Sequence, residues 1–237
     1  MSAQRTEPPT VDASTAALVD VSCPIRDHCV LRIEHLQKSF TTGLPPRRRR
    51  SEVLRDASLM VCRGEIVGLV GENGSGKSTL MQIVVSMLDR DGGEVERLGR
   101  IGYCPQQPML WEKLTVDEHF ELFARAYRLD EQRRESVTVE LLEELQFARY
   151  RTTRVEELSG GTRQKLNLAL ALMHEPRLLL LDEPYSGFDW ETYLRFWEMS
   201  EHRRDEGMGI LIVSHFLSER GRLDRVYELR DGRTVEV

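Results

Sequence analysis

The stretch Gly71-Glu72-Asn73-Gly74-Ser75-Gly76-Lys77-Ser78-Thr79 has the spacing G-x-x-x-x-G-K-[ST], and each residue type in it suits a bound polyphosphate. Gly71, Gly74 and Gly76 let the backbone adopt conformations closed to other residues, so that its N–H groups converge on phosphate oxygens. A helix opening directly behind the loop adds a favourable dipole. Lys77 supplies a cation for the β- and γ-phosphates, and the Ser78 hydroxyl a ligand for Mg²⁺. Farther along, the apolar run Leu178-Leu179-Leu180-Leu181 ends in Asp182-Glu183. Asp182 is suited to hold Mg²⁺ directly or through water, and Glu183 to polarise a water for attack on the γ-phosphate. A third stretch, Leu158-Ser159-Gly160-Gly161, offers a hydroxyl and two glycines at a helix start, where an anion is welcome. Taken alone, that last stretch reads equally well as a serine N-cap with two loop glycines.

These groups act together only if the elements around them are right. Glu65 to Val70 reads as a strand and Thr79 to Leu88 as a helix, the strand–loop–helix context that a phosphate loop needs. The run Leu178 to Leu181 reads as a strand buried on both faces, and so does Ile210 to Val213. Earlier strands are expected at Val30 to Leu36 and Val53 to Val61, with Thr41 to Ser51 as a loop between them. Short strands are expected at Glu94 to Glu96 and Ile101 to Tyr103. Thr115 with Glu118 forms a capping box that opens a helix, and a second helix spans Glu131 to Leu145. Helices are also expected from Thr162 to about His174 and from Trp190 to Arg204. Arg225 to Val237 reads as a hairpin turning at Asp231-Gly232. Helices without strands between the halves of the sheet indicate a small inserted helical subdomain, at about 108–160. Residues 1–27, with Pro8, Pro9 and Pro24 and few large apolar side chains, read as a disordered tail before a domain at 28–237.

Length and composition fit one soluble globular domain with a subdomain: 237 residues bury a full core, and the formal net charge is −6. That charge gives no case for nucleic-acid binding. No window approaches the ~20 apolar residues of a membrane span, and the polar N-terminus lacks a signal-peptide core, so the expected compartment is the cytosol. Cys23, Cys29, Cys62 and Cys104 have neither C-x-x-C spacing nor a histidine that completes a zinc pattern; they read as reduced thiols.

With Gln106, Asp189 and His215 added, the three stretches make the chain resemble the ATP-binding cassette (ABC) ATPases over about Val30 to Val237. The resemblance implies a P-loop NTPase fold with a mostly parallel α/β core, an antiparallel β part and the helical insertion. It implies ATP as substrate, Mg²⁺ as cofactor, and hydrolysis to ADP and phosphate. Residue by residue, it implies that Phe40 stacks on adenine and that Gly71 to Thr79 bind the phosphates. Gln106, after Tyr103-Cys104-Pro105, becomes the glutamine that senses Mg²⁺ and the attacking water. Ser159, Gly160 and Gly161 become the signature that binds the γ-phosphate held by the opposite subunit, Asp189 the D-loop aspartate, and His215 the switch histidine. A second copy, paired head to tail, and a separate membrane-embedded permease subunit are the implied partners. The chain would then sit peripherally on the cytoplasmic face of the membrane and power transport, with the lack of a long regulatory extension resembling export-type cassettes. The alternative is a soluble ABC-type ATPase acting on nucleic acid or ribosomes. One position departs from the family's habit: Thr162 stands where a glutamine usually follows the two glycines.

Three further groups carry two readings each. Arg47 to Arg50 reads as a solvated loop, with contact to anionic lipid headgroups as the alternative. Met109, Leu110 and Trp111 read either as subdomain core or as part of a groove for a membrane subunit. Trp190, Tyr193, Phe196 and Trp197 recur at helical spacing and read as core.

Overall fold

Three of the strands are apolar at nearly every position, and this sets the architecture. β3 (Ile66–Val70), β6 (Leu178–Asp182) and β7 (Gly209–Val213) are buried along their whole length, as strands covered on both faces must be. The structure, a computed structural model, describes residues 28–43, 48–214 and 221–237; the expected N-terminal tail, Cys23, Arg47 and His215 lie outside them. The remaining strands are β1 (Cys29–Thr42), β2 (Arg49–Cys62), β4 (Gly92–Arg97), β5 (Ile101–Cys104), β8 (Arg225–Arg230) and β9 (Arg233–Glu236). They form one sheet in the order β4-β1-β2-β9-β8-β3-β7-β6-β5. The run β8-β3-β7-β6-β5 is parallel throughout, whereas β4-β1-β2 is antiparallel. This is the mostly parallel core with an antiparallel part expected from the sequence.

Helices cover both faces. α1 (Lys77–Val84) follows the phosphate loop, α4 (Gly160–Leu172) follows Ser159, and α5 (Trp190–Asp205) follows Asp189. Strand alternation divides the core: Leu178 and Leu180 pack with α1, β1 and β2, while Leu179 and Leu181 pack with α4 and α5. Between β5 and α4 lie α2 (Val116–Tyr127), α3 (Glu131–Glu144) and two short 3₁₀ turns. Thr115 caps α2 with the reciprocal capping box expected of it: Thr115 Oγ1 accepts the Glu118 N–H, and Glu118 accepts the Thr115 N–H at 2.7 Å.

Several expectations needed correction. The loop expected over Thr41 to Ser51 is strand at both its ends, because β1 and β2 continue to pair as Phe40↔Ser51, Thr41↔Arg50 and Thr42↔Arg49; residues 44–47 lie outside the described residues. Polar, arginine-rich residues with no buried face gave no alternation to read there. α1 ends at Val84, short of Leu88, in a turn in which Met87 and Leu88 donate to the Gln82 carbonyl. Phe196 and Trp197 are fully buried, but Trp190 is 72% exposed and stacks on Tyr193; as the first residue of α5 it precedes the turn that packs inward.

Candidate active site

The phosphate loop folds as strand, loop and helix should. Gly76 caps α1 with φ 108°, a left-handed conformation that favours glycine. A β-carbon there would come within 2.8 Å of Val53 Cγ1. Among the described residues no side chain caps α1, so the N–H groups of its first turn, without intrahelical partners, are left to a ligand. Ser75 Oγ is buried with no hydrogen-bond partner among the described residues. A glycine cradle, uncapped N–H groups and an orphaned hydroxyl are together what a phosphate anion would satisfy.

Lys77, Ser78, Gln106, Asp182 and Glu183 line one open cleft with Asn73, Gly74, Gly76, Thr79 and Val53. Lys77 Nζ folds back on its own loop, donating to the Gly71 and Glu72 carbonyls at 2.6 and 2.9 Å. Burial lowers its pKa, opposed by the nearby carboxylates of Glu183 and Asp182. Ser78 Oγ donates to Asp182 Oδ2 at 3.2 Å, and Gln106 Nε2 donates to Glu183 Oε2 at 2.8 Å. Strand pairing explains this convergence. β5 and β6 run side by side in register, as do β6 and β7, so the residues after Cys104 and Leu181 emerge at the same edge as the loop after β3. Under this edge, burial beside Asp182 pushes the Tyr103 hydroxyl up to about 12 and the Cys104 thiol higher still, so both stay neutral and contribute shape rather than charge.

The other expected site residues lie outside that cleft. Phe40 is 37% exposed on β1, with Lys38 Nζ 5.5 Å from its ring centroid. Ser159 caps α4: its Oγ accepts the Thr162 N–H at 3.2 Å and lies 2.9 Å from Thr162 Oγ1. A β-carbon on Gly161 would come within 2.6 Å of the Gly187 carbonyl oxygen, so the Ser159 loop and the Ser186–Asp189 loop pack backbone against backbone. Asp189 caps α5 by accepting the Thr192 N–H at 2.8 Å, and this bond holds its carboxyl below the usual range. Glu72 and Asn73 are exposed on the loop. His215 is outside the described residues. Its neighbour Ser214 is buried and accepts from Tyr185 Oη at 2.8 Å.

Sequence reasoning missed Asn167. Its amide donates to the Pro105 carbonyl at 2.9 Å and to Cys104 Sγ at 3.2 Å, tying α4 to the residues just before Gln106. The available signal was an asparagine, 7% exposed, inside the otherwise apolar run Leu166 to Leu172.

Comparison with known proteins gives a consistent picture. The ABC transporter family model matches residues 54–186. The chain is 33% identical over 222 residues to the lipopolysaccharide export system ATP-binding protein LptB of Acidithiobacillus ferridurans, covering 87% of this chain and 88% of that one. It is 32% identical over 198 residues to ABC transporter G family member 20 of Dictyostelium discoideum, covering 78% of this chain but only 27% of that protein's length. Among solved structures, a dimeric bacterial ABC transporter cassette superposes with a TM-score of 0.78 at 25% identity, covering 86% of this chain and 96% of that one. The same cassette is known in a dimeric post-hydrolysis state bound to ADP and phosphate.

Proposed function

The chain belongs to the ABC transporter family, and on that premise we propose that it is the ATP-hydrolysing subunit of an export-type transporter, working as a head-to-tail pair. The observation that carries the reading is the cleft in which Lys77, the Ser78–Asp182 pair and the Gln106–Glu183 pair meet. Lys77 exchanges its two loop carbonyls for phosphate oxygens when nucleotide binds. Glu183 polarises the attacking water, and Gln106 holds that carboxylate in place. Mg²⁺ would be held by Ser78 and Asp182, with Gln106 at hand, and when bound it supplies Lewis-acid stabilisation of phosphoryl charge. No group of three or more His, Cys, Asp or Glu residues among the described ones could hold a metal. The two-residue donor set instead suits an ion that keeps waters and takes phosphate ligands. Phe40 offers adenine the ring face away from Lys38.

Ser159, Gly160 and Gly161, with the adjoining Asp189, are assigned to the γ-phosphate of the second copy, and the separation of this group from the cleft supports that assignment. His215 is assigned to the γ-phosphate of its own subunit on sequence grounds. We take residues 28–237 as the ATP-binding domain, with the helical subdomain at about 108–160. Among the described residues no helix is long and apolar enough to cross a membrane. Met109 and Trp111 are 59% and 53% exposed, while Leu110 is half-buried against the core. This strip beside Gln106 supports docking of a membrane-embedded permease subunit, which would hold the chain on the cytoplasmic face. The match to an export ATP-binding protein favours transport over action on nucleic acid or ribosomes.

Lys77→Ala tests the cleft. ATP binding by calorimetry should weaken roughly ten- to hundredfold, the worth of one hydrogen bond to a charged group. Phosphate release should cease, with the fold retained by circular dichroism. Unchanged ATP affinity would overturn the assignment.

A further inference from the structure

We propose that Thr162 is a positioning residue for the composite site: its hydroxyl fills the last acceptor position of Ser159 Oγ and so turns Ser159 into an obligate donor. The inference rests on the reading that Ser159 meets the γ-phosphate of a second copy, and it concerns the one signature position where this chain departs from the family's usual glutamine.

A serine hydroxyl has two acceptor lone pairs and one proton. Ser159 Oγ already accepts the Thr162 N–H at 3.2 Å, fixed by the capping geometry of α4. Thr162 Oγ1 lies 2.9 Å from the same oxygen, and one of the two hydroxyls must donate to the other. When Thr162 donates, both lone pairs of Ser159 are occupied, and its proton is the only valence left. An incoming phosphate oxygen, which can only accept, selects this arrangement, because the alternative directs Ser159's proton at Thr162. Thr162 is 9% exposed. Its side chain is therefore shielded from water that could compete for the bond, and its β-branch restricts χ1 to few rotamers.

The test uses the full chain carrying Glu183→Gln, which should hold ATP unhydrolysed, and follows ATP-driven dimerisation by light scattering with size exclusion. Thr162→Val keeps the shape and the capping N–H but removes the hydroxyl; it should raise the protein concentration needed for dimer roughly threefold to tenfold, as loss of the neutral hydrogen bond that orients the Ser159 donor does. Thr162→Ser restores the hydroxyl and should dimerise like the parent. ATP affinity of the monomer, which depends on the phosphate loop, should be the same in all three. In a Ser159→Ala background, Thr162→Val should have no further effect, because the group it positions is gone; a purely structural role would persist there. Parent-like dimerisation by Thr162→Val, or an undiminished loss in the Ser159→Ala background, overturns the proposal and leaves the composite site intact. Failure of the Glu183→Gln parent itself to dimerise overturns the composite-site reading and this proposal with it.

Discussion

At the scale of single residues, the site works by pairing groups that would otherwise be costly to bury. Lys77 loses solvation in the loop and recovers it from two carbonyls and two nearby carboxylates. In the proposed site Phe40 would act through its ring face alone. Phe40→Tyr should therefore bind ATP like the parent, whereas Phe40→Ala should weaken binding roughly fivefold to tenfold, within the range of a stacking contact. Parent-like affinity of the alanine variant by calorimetry would place adenine elsewhere. The phosphate-loop residues were legible because the motif encodes backbone shape as well as chemistry. Asp182 and Glu183 were legible because an apolar strand ended on them. The partners chosen by each polar atom were not legible: the Ser78–Asp182 and Gln106–Glu183 bonds depend on the strand order, which no local pattern states.

At the scale of elements, α4 carries both the Ser159 loop and the grip on Cys104 and Pro105, just before Gln106. Its Asn167 amide satisfies the half-buried Pro105 carbonyl, so Asn167→Leu leaves that acceptor without its partner, at about 1 kcal/mol. Denaturant unfolding should show that loss, and phosphate release should fall more than ATP affinity does. Equal, parent-like values for both would remove Asn167 from the account. α2 makes a comparable connection through His119, whose Nδ1 hydrogen-bonds the Thr115 carbonyl at 2.8 Å while Nε2 accepts the Trp111 N–H at 3.0 Å. Only the neutral ring can do both. His174 stacks on Tyr127 and donates its Nε2–H to the Ile101 carbonyl at 3.0 Å, while its buried Nδ1 has no hydrogen-bond partner among the described residues, so that burial favours the neutral ring. Burial lowers both pKa values from 6.5. The unfolded chain therefore takes up protons that the folded one refuses, and stability falls as pH drops below 6.5. The lowered carboxylates, Asp91 at about 2 and Glu118, Glu135, Glu156 and Asp189, titrate below 4.5 and leave this window to the histidines. The melting temperature should decline between pH 7 and 5.5, by roughly 3 °C per kcal/mol lost; a flat profile contradicts neutral burial. Element types were mostly readable from period and caps. The extended β1–β2 pairing was not, since exposed strands held by cross-strand bonds carry no apolar alternation.

At the scale of the whole molecule, we propose that one copy holds half of each site. The cleft gathers Lys77, Ser78, Gln106, Asp182 and Glu183, whereas Ser159, Gly160, Gly161 and Asp189 lie outside it on loops packed against each other. That division explains how turnover can be tied to motion. ATP would join two copies, and hydrolysis would remove the phosphate that both hold, releasing them and the exposed strip at Met109 and Trp111 that a membrane partner would follow. The central claim is that the γ-phosphate is the bond between copies, and Glu183→Gln tests it most directly, because the variant keeps the side chain's shape but should not hydrolyse. Light scattering with saturating ATP should give twice the monomer mass, and with ADP the monomer mass. A monomer under saturating ATP, or ATP turnover at the parental rate, would contradict the account.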